Sequence, residues 1–136
     1  MITGLNYLNL AVSNMERSFY FYRNIVGLKP LCKWPNGAYF LAGEAWLCLH
    51  LSQEPVVRSP QDYTHLAFSV SQENFDSMVE RLTREGVISF KENISEGDSF
   101  YFLDPDANKL ELHVGDWQSR IAAKKKAPWP NTEFFS

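Results

Sequence analysis

The sequence predicts an α+β protein made of two paired β-α-β-β-β modules, with mostly antiparallel sheet and helices covering one side. Two matches between the halves carry this prediction. LNYLNLAVS at 5–13 matches YTHLAFSVS at 63–71, 58 positions later, and LCLHL at 47–51 matches LELHV at 110–114, 63 positions later. A segment that recurs at nearly constant spacing indicates a duplicated structural unit. Each half is therefore expected to fold in the same way.

The elements of the first half follow from local patterns. After the strand at 5–13, the run from Ser13 to Glu16 has the form of a capping box and predicts the start of a helix. Gly27 predicts where that helix ends. Its apolar stripe has helical spacing and consists of Met15, Phe19, Tyr22 and Val26. Three strand-like runs complete the module, at 28–34, 38–42 and 45–51.

The second half repeats this order. Ser71 predicts a helix start and Gly86 its end, around an apolar stripe. That stripe consists of Phe75, Met78, Val79 and Leu82. Three strands follow, at 87–91, 99–103 and 109–114. The change in offset from 58 to 63 predicts a few inserted residues in the second half, in the loop at 91–98.

We expect one domain over 1–136, divided into four consecutive parts. Module one occupies 1–51 and module two occupies 63–115. Residues 52–62 contain two prolines and are predicted to form the linker between them. The tail at 116–136 begins with a predicted helix from Asp116 to Lys126 and ends in aromatic residues, which favours packing on the body or on a partner subunit.

Composition excludes several classes of function. A net charge of -3 and a hydrophobic fraction of 45% are ordinary for a globular protein and give no general reason to bind nucleic acid or anionic membrane. No stretch approaches the ~20 apolar residues of a membrane span. The start of the chain lacks the features of a secretory signal, and two cysteines are too few for a disulfide scaffold. We therefore expect a cytoplasmic protein with reduced thiols, in which the basic run at 124–126 is a solvated helix face.

Glu111 is the first candidate for a functional residue, because it stands among Leu110, Leu112 and Val114 on a predicted strand. A buried carboxylate needs a compensating partner. The repeat places Tyr7, Cys48, His65 and Glu111 at corresponding positions, expected to converge on the cleft between the modules. His65 and Glu111 could bind a divalent metal such as Mn, Fe, Co, Ni or Zn.

Simpler explanations stay open for each of these residues. A strand histidine is often a hydrogen-bonded core residue, and a strand carboxylate is often paired with a basic side chain. Cys48 is expected to be a buried core thiol. His113 shares the strand face of Glu111, but its repeat counterpart is His50, so we expect a structural or supporting role for both histidines.

The paired modules and the segment FLDPDANKLEL resemble the vicinal oxygen chelate superfamily, which includes glyoxalase I and extradiol dioxygenases. Within it, the chain is most similar to the fosfomycin-resistance glutathione transferases. The most specific similarities are TGLNYLNLAVS, GAY at 37–39, WLCL at 46–49, DYTH at 62–65 and NISEGDSFYFLDPD at 93–106. The resemblance extends over essentially the whole chain, from residue 2 to 136.

The resemblance implies a cytoplasmic homodimer with shared sites, in which glutathione opens an epoxide phosphonate chelated to a divalent metal, usually Mn(II). By motif match, the metal ligands fall at Tyr7, His65 and Glu111. The implied phosphonate-binding positions are Asn9, Lys91, Ser95, Ser99, Tyr101 and Arg120. Trp46 and Tyr39 line the substrate and thiol side, and Tyr39 and Tyr101 are the implied catalytic residues. A loop binding potassium is implied at Asn93, Ser95, Glu96, Gly97 and Ser99.

The sequence departs from this family at two positions on one strand face. Tyr7 replaces the first metal histidine, and Asn9 replaces a threonine that contacts phosphonate. A phenol with a pKa near 10 is a poorer ligand at neutral pH than imidazole. Three outcomes stay open: a tyrosinate ligand, a weakened site completed by water, or no tightly bound metal. The two departures favour an altered substrate or lost activity.

Three functions follow from these observations. The leading hypothesis is a metal-dependent thiol transferase of the fosfomycin-resistance type, weakened or shifted in substrate. The second is a non-catalytic protein of the same fold that binds a small anion or an antibiotic. The third is an isomerase of glyoxalase type, which Lys91, Ser95, Ser99 and Arg120 disfavour because such groups suit a phosphonate dianion better than a hemithioacetal.

Overall fold

The computed structural model describes residues 1–135 and contains the two predicted β-α-β-β-β modules in that range. The strands of module one are β1 (Tyr7–Val12), β2 (Lys29–Trp34), β3 (Gly37–Ala42) and β4 (Ala45–Leu51). Those of module two are β5 (His65–Ser69), β6 (Ser89–Lys91), β7 (Ser99–Leu103) and β8 (Lys109–His113). The helices are α1 (Met15–Tyr20), which continues as a π-helix over Phe21–Val26, α2 (Gln72–Arg84) and α3 (Trp117–Lys126).

Each module forms its own four-stranded sheet within the described residues, in the orders β1-β4-β3-β2 and β5-β8-β7-β6. The first strand pairs in parallel with the last strand of its module, and the other pairs are antiparallel. The registers agree with the sequence repeat, because Asn9 lies opposite Cys48 as Ala67 lies opposite Glu111. The predicted fold is confirmed, and so is the predicted site of the insertion: the 35–36 connection of module one corresponds to the longer 92–98 loop of module two.

Alternation along the strands separates the two faces of each sheet. In module two, Leu110, Leu112 and Phe102 point to one face and join the buried core. The same core contains Val12, Phe40 and Leu49 of module one, together with residues of α1, its π-helical continuation and α2. Glu111 therefore lies on the opposite face from the core, although it is itself buried.

The start of the first helix differs from the prediction. Ser13 was expected to cap it, but Asn14 is the N-cap and accepts a hydrogen bond from the Arg17 amide at 3.0 Å. Ser13 instead contacts Asp106 in the DPDAN turn, through its backbone amide at 3.0 Å and through its hydroxyl. The change to π-helix from Phe21 was not predicted, because an apolar stripe does not distinguish the two helix types. The helix does end at Gly27, as expected.

Polar contacts join the two modules away from the sheets. The buried hydroxyl of Tyr22 donates to Asp104 Oδ2 at 2.6 Å. Arg58, in the linker, donates to Asn108 Oδ1 at 2.7 Å. The DPDAN turn of module two is thereby attached to the helix of module one and to the linker. In the described range, no helix is long and apolar enough to cross a membrane.

Candidate functional site

One face of the module-two sheet carries the polar residues of the candidate site. On the central strand β8, Glu111 lies opposite Ala67 of β5 and Tyr101 of β7. Residues two apart on a strand share a face, so His65 lies on this face as well. Lys91 of β6 is opposite Tyr101 and completes the row. The opposite face is apolar and packs on the helices, which fixes the register of these polar side chains.

His65 and Glu111 form the centre of this face. Nε2 of His65 lies 3.0 Å from Oε1 of Glu111, and Glu111 is 4% exposed. Nδ1 of His65 lies 2.9 Å from the Tyr63 carbonyl oxygen. A carbonyl only accepts, so His65 Nδ1 carries a hydrogen, and Nε2 is the ring nitrogen that faces the carboxylate. When Nε2 has no hydrogen, both facing atoms are acceptors, and a cation between them would offset their repulsion.

This donor set fits a divalent transition metal. Adjacent ligands about 2.1 Å from a metal are themselves about 3 Å apart, which is the separation of the His65 and Glu111 atoms. Imidazole and carboxylate suit several such ions. Over residues 1–135 no three His, Cys, Asp or Glu side chains are grouped to hold a metal. A single chain thus brings together two of the three predicted ligands, His65 and Glu111, and Cys48 does not join them.

A cavity of about 480 Å³ opens beside the pair, and three basic and two acidic side chains line it. Lys91 Nζ donates to the Tyr63 hydroxyl at 2.6 Å and lies 4.9 Å from the centre of the Tyr101 ring. The hydrogen bond to Tyr63 raises the pKa of Lys91, and burial raises the pKa of Tyr101. At neutral pH the cavity therefore presents an ammonium group and a neutral phenol. Its lining also includes Ser95, Glu96, Arg120, Lys124 and Trp129.

The loop at 93–97 holds Ser95 at the cavity. Oδ1 of Asn93 accepts from the Ser95 amide at 2.9 Å and from its hydroxyl at 2.7 Å, and Nδ2 donates to the Gly97 carbonyl at 2.8 Å. Arg120 Nε lies 3.4 Å from Glu96 Oε1. Ser99, another predicted phosphonate contact, lies behind Glu111 and donates to its Oε2 at 2.7 Å.

The predicted residues of module one lie on the other sheet. Tyr7 is 53% exposed, and its ring centroid is 4.9 Å from that of Trp46. Trp46 is in turn 5.2 Å from Tyr39. Asn9 lines a cavity of about 460 Å³ between the modules, together with His65. The four repeat positions were expected to converge on this cleft, but of the four only His65 lines it. Glu111 lines the cavity of module two, and Tyr7 and Cys48 lie on the separate sheet of module one.

Several residues near the cavity were not predicted as site residues. Tyr63 fixes the His65 tautomer and binds Lys91, and its position within DYTH was the available signal. Lys124 and Trp129 come from the tail, where Lys124 Nζ lies 3.0 Å from the centre of the Trp129 ring. The tail was expected to pack, and the resemblance placed its Arg120 at the substrate, but nothing in the sequence indicated Lys124 or Trp129.

A duplicated βαβββ fold with an imidazole–carboxylate pair on an open sheet face defines a class of metal-chelating enzymes and binding proteins. Residues 4–112 match the family model described as Glyoxalase/Bleomycin resistance protein/Dioxygenase superfamily. The chain belongs to this superfamily and, within it, to the fosfomycin-resistance thiol transferases.

Individual relatives define that subgroup. The chain is 44% identical to the glutathione transferase FosA of Serratia marcescens, over 100% of this chain and 98% of the relative. It is 34% identical to the metallothiol transferase FosB of Lysinibacillus sphaericus, over 99% and 98%. Among solved structures, a mutant of the fosfomycin resistance protein FosX of Listeria monocytogenes, in complex with Mn(II) and 1S,2S-dihydroxypropylphosphonic acid, matches with a TM-score of 0.79 and 29% identity, over 90% and 98%.

Proposed function

We propose that the protein is a metal-dependent thiol transferase that inactivates fosfomycin, an epoxide phosphonate, by adding glutathione. The observation that carries this proposal is the His65–Glu111 pair beside a cavity lined by Lys91 and Arg120. One part of that arrangement suits a metal, and the other suits a phosphonate dianion. The similarity to a glutathione transferase and to a metallothiol transferase supports the same reaction.

The reaction forms one bond and breaks another. The glutathione thiolate attacks an epoxide carbon, the carbon–oxygen bond breaks as the carbon–sulfur bond forms, and the ring oxygen takes up a proton to become a hydroxyl. A metal held by His65 and Glu111, which we propose to be Mn(II), supplies Lewis-acid stabilisation of the charge that develops on that oxygen. Lys91 and Arg120 bind the phosphonate, with Ser95 and the neutral Tyr101 phenol as hydroxyl donors. The loop that contains Asn93, Glu96 and Gly97 is the proposed potassium site.

Module one is proposed to supply the thiol side of the site. Tyr7, Trp46 and Tyr39 form a continuous aromatic row with centroid separations of 4.9 and 5.2 Å, and Tyr7 is 53% exposed. An open aromatic surface of this kind is typical of a binding face. We propose that, in a homodimer, this row faces the module-two cavity of the partner and that Asn9 lies near the phosphonate. Reduced cysteines, Cys32 exposed and Cys48 buried, suit a location in the cytoplasm, where glutathione is abundant.

A direct assay tests the proposal. Purified protein is incubated with fosfomycin, glutathione, Mn(II) and potassium, and the thioether product is measured by mass spectrometry. We expect product that disappears after chelation of the metal and returns when Mn(II) is added. Glu111→Gln should abolish turnover, whereas Glu44→Gln, in the turn between β3 and β4, should not. No product from the wild-type protein under any metal would refute the proposed activity.

A second function, non-catalytic binding of a small anion, is favoured by two observations. The described residues provide two grouped metal ligands instead of three, and Tyr7 packs on Trp46. A protein of this kind would keep the Lys91 and Arg120 cavity and hold no metal. Metal analysis of protein purified without chelator distinguishes the two functions. A stoichiometric transition metal excludes the binding-only alternative, whereas fosfomycin binding without metal or turnover supports it.

A further inference from the structure

His113 stands directly behind the carboxylate of Glu111. It follows Glu111 by two residues on β8, so both side chains lie on the same face, and it pairs with Ser99 on β7. Ser99 Oγ lies 2.7 Å from Glu111 Oε2 and 2.6 Å from His113 Nδ1. The direct separation of His113 Nδ1 and Glu111 Oε2 is 3.5 Å. The hydroxyl of Ser99 therefore connects the imidazole to the carboxylate.

The direction of these hydrogen bonds follows from the Glu111 carboxylate, which only accepts. The Ser99 hydroxyl has a single hydrogen and donates it to Glu111 Oε2. The Ser99 oxygen is therefore the acceptor toward His113, and Nδ1 of His113 carries a hydrogen. On the other side of the ring, Nε2 of His113 lies 3.4 Å from Arg120 Nη2, a donor, and 3.6 Å from Glu96 Oε1, an acceptor.

The backbone around His113 leaves room for its ring and little else. A Cβ added to Gly97 would lie 3.2 Å from His113 Cε1, and one added to Gly115 would lie 3.2 Å from Nε2. The ring thus occupies a slot between two glycines, and its side chain is 12% exposed. A side chain held in this way can transmit its orientation to its hydrogen-bond partners.

We propose that His113 is a positioning residue that acts through Ser99 to orient Glu111 toward the metal. This inference rests on the proposed metal-dependent function. With Oε2 occupied by Ser99, only Oε1 of Glu111 remains to face His65 Nε2 at 3.0 Å. The carboxylate is thereby arranged to offer the metal one oxygen. The same bond directs the Ser99 hydroxyl at Glu111 instead of at the phosphonate cavity.

Metal affinity tests the proposal without an activity assay. Mn(II) is titrated into metal-free protein, and the free ion is measured by electron paramagnetic resonance. We expect His113→Leu and Ser99→Ala each to weaken Mn(II) binding about 10- to 100-fold. The double variant should be no weaker than either single variant, because one effect passes through the other residue. His113→Asn, which places an amide nitrogen near the Nδ1 position, should retain most of the affinity.

His50 provides a matched control, since it is the repeat counterpart of His113 on β4 and is exposed. His50→Leu should bind Mn(II) as the wild-type protein does. Additive losses in the Ser99 and His113 variants, or a His113→Leu variant that binds normally, would overturn the proposal and leave the metal-dependent function intact. A wild-type protein that binds no Mn(II) would instead remove the proposed function.

A spectroscopic measurement tests the direction of the His113–Ser99 hydrogen bond in the absence of metal. The chain has three histidines, so their ring nitrogens can be assigned by nitrogen-15 NMR of the metal-free protein. We expect His113 to carry its hydrogen on Nδ1 and its Nδ1 resonance to shift in Ser99→Ala. An Nδ1 without hydrogen, or an unchanged resonance, contradicts the proposed direction of the hydrogen bonds whatever the metal affinity. This test does not depend on whether the His113 variants fold.

Discussion

Tyr7 and His65 are equivalent residues with different chemistry. Each begins the first strand of its module. Two positions later, Asn9 lies opposite Cys48 of β4, and Ala67 lies opposite Glu111 of β8. His65 has a carboxylate partner and a fixed tautomer, whereas Tyr7 packs on Trp46. The duplication thus produced one polar and one aromatic version of the same sheet face.

Replacing Tyr7 tests how that difference affects the affinity for Mn(II). Neutral imidazole binds divalent metals at neutral pH better than a phenol does, so Tyr7→His should strengthen Mn(II) binding by about tenfold or more. Tyr7→His with Asn9→Thr should also raise turnover of fosfomycin. Isothermal titration calorimetry and product assays measure the two effects.

Tyr7→Phe is the matched control for this prediction, because it keeps the ring on Trp46 and removes only the hydroxyl. We expect its Mn(II) affinity to equal that of the wild-type protein. A clear loss of affinity in Tyr7→Phe would identify the phenol oxygen as a metal ligand and would contradict this expectation.

At the scale of single elements, the loop between β6 and β7 depends on Gly97. Its φ is +76°, and a Cβ added there would lie 2.4 Å from the Val114 carbonyl oxygen. Gly86 has a similar φ of +83°, but a Cβ there would meet no atom within 4 Å. Gly86→Ala should therefore cost only the backbone strain of about 1–2 kcal/mol.

Gly97→Ala carries that strain and must also move residue 97 away from the Val114 carbonyl oxygen. This movement shifts the loop that holds Ser95 at the cavity. We expect it to lower the free energy of unfolding more than Gly86→Ala does and to weaken fosfomycin binding, which Gly86→Ala should leave unchanged. Denaturant unfolding and calorimetry make the comparison. Equal effects of the two variants on binding would show that the loop does not shape the cavity.

The contact between Tyr22 and Asp104 fixes the π-helical segment to the DPDAN turn. Tyr22 is fully buried, and Tyr22→Phe should lower the free energy of unfolding by about 1.5–3 kcal/mol, because the bond is made to a carboxylate. Tyr20→Phe is the control, since Tyr20 is exposed on the preceding turn.

The same contact predicts a dependence on pH. Burial, and then the charge of Asp104, raises the pKa of Tyr22 well above its ordinary value of 10.0. The unfolded chain releases this proton above about pH 10 while the folded chain keeps it. The stabilisation is complete below that pH and is lost as the pH rises through the folded pKa. Unfolding measured against pH should show a steeper decline above pH 10 for the wild-type protein than for Tyr22→Phe.

Sequence reasoning was most reliable where a regular pattern repeats. The two modules, the order of helix and strands along each and the inserted loop all follow from two offsets and from apolar periodicity, whereas the order of strands in each sheet was not predicted. The N-cap could not be assigned, because Ser13 and Asn14 are both good caps and the choice depends on Asp106, 92 or more positions away in the chain. Ser99 presents the same difficulty, since its partner is decided by the packing of His113 between two glycines.

At the scale of the whole molecule, the repeat did not indicate that the candidate site is divided between two sheets, and only the family resemblance implied shared sites. The repeat suggested that four positions converge, yet the structure places the aromatic row of module one and the polar face of module two on separate sheets. Exposed aromatic side chains remain on both, including Trp34 at 42% and Tyr63 at 47%. Two incomplete faces on one chain are what a symmetric dimer can pair, because a two-fold axis brings each face of one copy against the other face of its partner.

Shared sites can be demonstrated by mixing two defective chains. Glu111→Gln disables the module-two face and Tyr39→Ala disables the module-one face, so each variant alone should be inactive in fosfomycin turnover. In a randomly mixed dimer population, half of the molecules combine both chains, and each of these has one site with neither change. Activity should therefore return to about one quarter of the wild-type value. Mixing Glu111→Gln with a double Glu111→Gln/Tyr39→Ala chain should restore none. A mixture of the single variants that stays inactive, although light scattering shows dimers, would mean that both faces of a working site belong to one chain.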